Sequence, residues 1–281
     1  MKSIKTAKQM QILAKKLRLS GKTIGFVPTM GYLHDGHISL LKKSVSENDV
    51  TILSIFVNPA QFAPNEDFDS YPRDYKRDEK LAEEAGADYI FYPSSKEMYP
   101  VNYLSYVEVE KISKVLEGEF RPTHFRGVTT VVAKLINIVM PDVMYLGQKD
   151  AQQAVILLKM REDLNFFCKI KIMPVIRDKN GLALSSRNVK LSEEDYKLAI
   201  ELNKTLKSGK QLFGCGKHVN VKSVILKLEK HIRKFKEIKL DYIACRNCKT
   251  FEEPVEINEK CYLLIAAKIG KVRLIDNMIV G

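Results

Sequence analysis

Two histidines three residues apart, His34 and His37, flank Asp35-Gly36 in the stretch PTMGYLHDGHISL. The stretch follows the β-rich run TIGFV, and His37 opens a helical pattern, so the pair sits where a strand turns into a helix. Gly36 lets backbone come close to a ligand, and the unpaired amides of a helix N-terminus favour phosphate. Imidazoles placed there can donate hydrogen bonds to phosphate oxygens and stabilise charge that develops in phosphoryl chemistry. A single loop histidine is more often a cap, but three of the five, His34, His37 and His124, fall in loops of this kind. Lys149 follows the strand-like run VMYLG, and Arg187 follows a turn signal at Asp178 to Gly181. Either alone would read as a surface ion pair, a weak feature; at such loop positions they read as cations for an anionic ligand. Arg187 is a permanent forked cation, and Ser185 and Ser186 beside it add neutral donors. Gln61 and Gln153 suit a different task, because amides recognise hydroxyls and carboxylates through paired donor and acceptor atoms. Asn58 precedes Pro59 after the strongest strand and reads either as a further ligand contact or as a cap on that strand's end.

The HDGH stretch resembles the HxGH signature of the nucleotidyltransferase superfamily, whose members attack the α-phosphate of ATP and release pyrophosphate. FVPTMGYLHDGH, SIFVNPAQF, YPRD, RPTHFRGVTTVVAKL, GQKDAQQ and GLALSSRN occur in the order seen in pantothenate synthetases. The likeness runs from about residue 23 to the end, where LIAAKIG and RLIDN are also family-like. The resemblance implies an acyl-adenylate of pantoate, followed by attack of β-alanine and loss of AMP. It places ATP at Met30, Gly31, His34, His37, Gly147, Lys149, Asp150, Ile176, Leu184, Ser185, Ser186 and Arg187. Catalytic roles are implied for His34, His37, Lys149 and Arg187, with Asp150 matching contacts to the adenosine ribose or nearby backbone. Gln61, Gln153 and Asn58 are the positions implied for pantoate and β-alanine. Gln152 and Gln153 cannot face the same way on a helix, and the match favours Gln153. The resemblance also implies Mg2+ carried by the ATP substrate, since this ion keeps water and phosphate ligands, and no dedicated metal site in the protein. Asp78 and Glu79 would be at most outer contacts. A homodimer is implied by resemblance alone. One departure stands out: the family's common GEKD is GQKD here, so Gln148 removes an acid beside Lys149.

The elements that must position these residues are legible as alternation. TIGFV, GHISLLKKSVSE, VTILSIFV, RDYKRDEKLAEEAG and DYIFYP read as strand, helix, strand, helix, strand, the pattern of right-handed βαβ units and a parallel sheet. VTILSIFV has almost no polar alternation and so belongs near the sheet centre, covered on both faces. Beyond an irregular stretch around Lys96 to Gly118, helices through GVTTVVAKLINIVM and AQQAVILLKMREDL alternate with strands VMYLG and CKIKIMPV. The expectation is a Rossmann-like α/β domain of about five strands over residues 1–176, binding its ligand at the strands' carboxyl ends. Residues 177–281, with two helical runs and then strands KLDYIAC, CYLLIAAKI and VRLIDNMIV, read as a smaller α+β domain placed to act as a lid. The N-terminal 22 residues read as an amphipathic helix rather than a secretory signal.

Composition excludes several classes. At 45% hydrophobic and 28% charged residues the chain is an ordinary globular protein, and no segment reaches the length of a membrane span. The five cysteines, an odd number with no export signal, imply free thiols and a cytoplasmic protein. Cys245 and Cys248 form a CxxC that lacks a second ligand pair and reads as a strand end followed by a turn. The net charge is +12, with +3 from residues 1–176 (24 basic, 21 acidic) and +9 from 177–281 (22 basic, 13 acidic). Those C-terminal lysines alternate with apolar residues at helical spacing, a solvated helix face rather than a nucleic-acid surface. No Ser-His-Asp or Cys-His arrangement is present, in keeping with chemistry that needs no nucleophilic side chain. The competing readings are an HxGH enzyme that moves AMP onto a phosphate, which needs no amide pair, and a basic RNA-binding fragment.

Overall fold

The protein, seen as a computed structural model, is described over residues 1–64, 66–214 and 219–281. Its first compact unit comprises residues 1–147 and 152–173. The strands are β1 (Lys2–Ile4), β2 (Ile24–Thr29), β3 (Val50–Ile55), β4 (Tyr89–Phe91), β5 (Val143–Gly147) and β6 (Lys169–Met173). They form a parallel sheet in the order β1-β4-β3-β2-β5-β6. Helices α1 (Ala7–Leu19), α2 (Asp35–Glu47), α3 (Tyr75–Glu84), α4 (Ser95–Met98), α5 (Glu117–Phe120), α6 (His124–Val139) and α7 (Ala151–Asp163) accompany it. The direction in which the chain steps across the sheet reverses between β2 and β5, which creates the crevice that doubly wound sheets use for ligands. Every residue of β3 is buried, as its apolar run requires.

Two expectations are corrected. The sheet has six strands among the described residues, because Lys2–Ile4, read as the start of a helix, pairs in parallel with β4. Helix α1 begins only at Ala7, where Thr6 Oγ1 accepts the Gln9 amide as an N-cap. A three-residue edge strand carries no periodicity, so the pattern of α1 ran over it. The sheet's start is also pinned by a side chain: Asp142 accepts from the Ile24 amide at 2.8 Å and from Arg18 at 3.0 Å.

The second unit comprises residues 148–151 and 174–281. Its helices α8 (Glu193–Gly214) and α9 (Val221–Ile232) and antiparallel strands β7 (Ile238–Asn247), β8 (Cys261–Ile269) and β9 (Val272–Val280) share a core that includes Leu202, Leu206, Leu228, Leu263 and Ile265. The break near Ile176 falls three residues earlier, after Met173, and residues 148–151 cluster with this second unit instead of the first. The reason is a side-chain clamp from β9, described below. Cys245 lies within β7 and Cys248 in the turn after it. Cys168, Cys245, Cys248 and Cys261 are free thiols, and Cys215 lies outside the described residues. No described helix is long and apolar enough to cross a membrane.

Candidate active site

In the first unit, β2 ends at Thr29 and the chain turns through Met30 to Leu33 before α2. Gly31 has φ +83°, and a Cβ there would stand 2.9 Å from both Asp78 Oδ2 and Ile55 Cγ2, so only glycine fits without strain. Asp78, 1% exposed on α3, holds the turn: its carboxylate accepts from the Tyr32 and Leu33 amides, both at 2.7 Å. Burial pushes the Asp78 pKa up, while those two amides and Arg77 pull against the shift. Both oxygens are thus committed to backbone, and Glu79 accepts from the Tyr75 hydroxyl at 2.8 Å. Asp78 is thus held to the turn rather than offered to a hydrated Mg2+.

His34 caps α2. Its Nδ1 accepts the Gly36 amide at 3.1 Å, and His37 Nδ1 accepts the His34 amide at 3.3 Å, a reciprocal capping box with ring centroids 4.0 Å apart. A ring nitrogen that accepts an N–H carries no proton, so each neutral imidazole bears its hydrogen on Nε2. The cap therefore sets the tautomer in which Nε2 of each ring is the donor.

After β3, Asn58 is 1% exposed and fully engaged. Its Oδ1 accepts from the Ala60 amide at 3.3 Å and the Tyr99 hydroxyl at 2.8 Å, and its Nδ2 donates to Gln61 Oε1 and Gly127 O, both at 3.1 Å. This corrects its assignment as a ligand contact: all four of its hydrogen-bonding positions are used, and Asn58 braces Gln61. The Gln61 amide nitrogen lies 3.1 Å from Met30 Sδ, so the turns after β2 and β3 meet there. The Gln61 carbonyl is held by His124 Nδ1 at 3.0 Å and Arg121 Nη2 at 3.3 Å, and Arg121 grips Glu66 through a fork of 2.7 and 2.6 Å. Burial first, then the Arg121 charge, lowers the His124 pKa to about 4, so this histidine is a neutral brace. A Cβ on Gly127 would collide with the Ala60 carbonyl, so α6 can lie this close only with glycine there.

At the start of α7 the two glutamines divide as helix geometry requires. Gln152, 3% exposed, donates to the Ile112 and Val115 carbonyls at 2.8 and 2.7 Å and accepts from the Glu117 amide at 3.1 Å. Gln153 is half-buried, and among the described residues of the first unit its side-chain amide has no partner, as suits a ligand-reading residue.

In the second unit, Gln148–Asp150 form a 3-10 turn. Lys149 Nζ rests 3.1 Å from Asp150 Oδ1, an ion pair that is partly exposed and weak enough to exchange for a phosphate. The Asp178 to Gly181 turn forms as its residues demand: Asp178 Oδ1 accepts the Asn180 amide at 2.9 Å and Gly181 has φ +93°. The chain then returns, the Leu184 amide bonding the Ile176 carbonyl at 3.0 Å, and delivers Ser185, whose Oγ accepts the Arg187 amide at 3.3 Å. A 3-10 turn over Ser186–Lys190 follows, with Ser186 buried. Ile176, Leu184 and Arg187 thus belong to one hairpin and its exit.

No local pattern in the sequence marks the structural roles of Asp78, His124, Arg121 or Asn277. Arg121, His124 and Asn277 lie in family-like blocks, and all four act on groups far away in sequence or on backbone that the fold alone brings near.

A parallel sheet with a paired-histidine, glycine-bearing turn at its central crevice defines a nucleotide-binding α/β enzyme of the HxGH kind. Comparison narrows the class. The model for the pantoate-beta-alanine ligase family matches residues 2–279. A pantothenate synthetase of Caldicellulosiruptor bescii is 50% identical, covering 99% of this chain and 98% of the relative. One from Thermotoga petrophila is 47% identical, covering 100% of each chain. The crystal structure of pantothenate synthetase from Thermus thermophilus superposes with a TM-score of 0.93 at 38% identity, covering 99% of each chain. That of pantoate-beta-alanine ligase from Francisella tularensis, complexed with beta-gamma ATP and beta-alanine, gives 0.81 at 38% identity over 99% and 97%. The chain belongs to the pantoate-beta-alanine ligases, the pantothenate synthetases.

Proposed function

We propose that the chain makes pantothenate in two steps at these residues, first a pantoyl-adenylate with release of pyrophosphate, then the amide with release of AMP. The observation that carries the assignment is the reciprocal cap at His34 and His37, which commits both Nδ1 atoms to backbone and makes both Nε2–H groups donors. In the first step the pantoate carboxylate attacks the α-phosphate in line, and the barrier is one of positioning and charge. His34 and His37 donate to the phosphates, Lys149 leaves Asp150 for them, and Arg187 with Ser185 and Ser186 supplies the remaining donors. Gln61, held by Asn58 and His124, and Gln153 orient pantoate. In the second step the β-alanine amine attacks the activated carbonyl, the C–O bond to phosphate breaks, and AMP carries off the electron pair. ATP and β-alanine as ligands are supported by the Francisella complex.

Mg2+ enters as part of the nucleotide. This ion typically keeps water and phosphate ligands, and the Asp78 carboxylate is taken up by the Tyr32 and Leu33 amides. We infer that the second unit shields the adenylate from water, and truncation after Ile176 should then abolish ligase activity. A second copy of this chain is the inferred partner, a reading that rests on the family likeness and is tested by the mass in solution. The free thiols support a reducing, cytoplasmic setting.

The deciding experiment is exchange of labelled pyrophosphate into ATP. Exchange should appear only with pantoate, and β-alanine should draw it on to product. Exchange that ignores pantoate, or that needs a phosphate acceptor, sinks the assignment.

A further inference from the structure

The clamp on residues 148–150 comes from Asn277 on β9, 1% exposed. Its Nδ2 donates to the Gln148 and Lys149 carbonyls, both at 2.9 Å, and its Oδ1 accepts from Gln148 Nε2 at 2.9 Å. An amide has two N–H groups, so the two carbonyls fix which way it faces. Its oxygen must then meet the side chain at 148, and that side chain must be a donor. Gln148 is one, and a carboxylate in this orientation would not be.

Asn277 is itself held from both sides. Its backbone N–H donates to Asp276 Oδ1 at 2.7 Å, and its backbone carbonyl accepts from Arg177 Nη2 at 3.1 Å. Arg177 grips the buried Asp276 in a fork of 2.6 and 2.8 Å and also donates to the Gly181 carbonyl at 3.1 Å. One network therefore ties the turn that bears Lys149 to the hairpin that leads into Ser185 and Arg187. Asp276 and Asn277 are buried with their polar atoms paired, and a hydrogen-bonded network of this kind makes a rigid frame.

We infer that Asn277 is a positioning residue for Lys149: by holding the Gln148 and Lys149 carbonyls it fixes the peptide from which the lysine ammonium reaches the phosphates, and Gln148 completes the clamp. The inference rests on the phosphate role proposed for Lys149. Loss of about an ångström in placing a charge costs on the order of a hundredfold in rate, whereas pantoate, read by the glutamines, should bind as before.

The test is a double-mutant cycle read by pantoate-dependent pyrophosphate exchange. Asn277→Asp turns two donors into an acceptor facing two carbonyls. It should lower kcat by roughly ten- to a hundredfold with the pantoate KM within about twofold. In a Lys149→Ala background the same change should cost less than about twofold, because residues acting as a unit are non-additive. Equal losses in both backgrounds, a wild-type kcat for Asn277→Asp, or an unchanged rate for Lys149→Ala overturns the inference. Should Asn277→Asp fail to fold, Gln148→Leu, at a half-buried turn, carries the same cycle with a smaller loss. Wild-type protein without exchange overturns the parent reading and this inference with it; wild-type exchange with an Asn277→Asp variant that exchanges as fast overturns this inference alone.

Discussion

Acid should weaken this protein through His124. The side chain is buried, donates from Nδ1 to the Gln61 carbonyl and accepts from Arg121 on Nε2 at 3.3 Å, so a second ring proton has no acceptor and faces a guanidinium. Its pKa falls from 6.5 to about 4 on folding, burial being the larger cause and Arg121 the next. Between those values the unfolded chain binds a proton that the folded chain refuses, so stability rises with pH across the window and is lost as pH falls. The whole shift corresponds to about 3 kcal/mol, of which about 2 kcal/mol is lost between roughly pH 7 and pH 5. For a unit of this size that is about 4–8 °C in Tm. His124→Asn keeps a donor for Gln61 but cannot titrate. Calorimetry at both pH values should therefore give a fall in Tm that is larger in the wild type by that amount, whatever other groups contribute to both proteins. Parallel falls in wild type and variant would refute the account of a neutral, buried brace.

The remaining predictions concern catalysis and the turn that supports it. His37→Ala removes one anion donor and half of the capping box; adenylate formation should drop about a hundred- to a thousandfold, and the cap should cost about 1 kcal/mol by urea unfolding. Gln153→Ala should raise the pantoate KM about tenfold, the cost of a lost hydrogen bond or two to a bound ligand, with Tm unchanged because its amide supports nothing described in the first unit. Gln152→Ala should do the opposite, destabilising by about 1–3 kcal/mol through the carbonyls of Ile112 and Val115 that it leaves unpaired. Asp78→Asn keeps one acceptor oxygen for two amides, so ATP affinity should weaken while the pantoate KM holds; a purely structural role would lower Tm and leave the ATP KM alone.

The alternation of strands and helices, the buried centre at β3 and the turn at Asp178 to Gly181 were all legible in the sequence, because side-chain periodicity, caps and turn residues act over a few positions. So was the different environment of Gln152 and Gln153, since neighbours on a helix face different ways and only Gln152 is buried. Tertiary structure decided the rest. It showed Asn58 to be a brace, since only the folded chain brings Tyr99 and Gly127 to it. It assigned Asp78 to the Tyr32 and Leu33 amides, His124 to Gln61, and Asn277 to Gln148, pairings across 45 to 129 residues. It placed Lys2–Ile4 at a sheet edge and residues 148–151 in the second unit. Buried polar atoms must find partners wherever the fold supplies them, so which side chain holds a catalytic group in place is settled by packing and not by spacing along the chain. The HDGH pair spans both cases: spacing placed two imidazoles at a phosphate turn, and only the folded cap determined which nitrogen of each carries the proton.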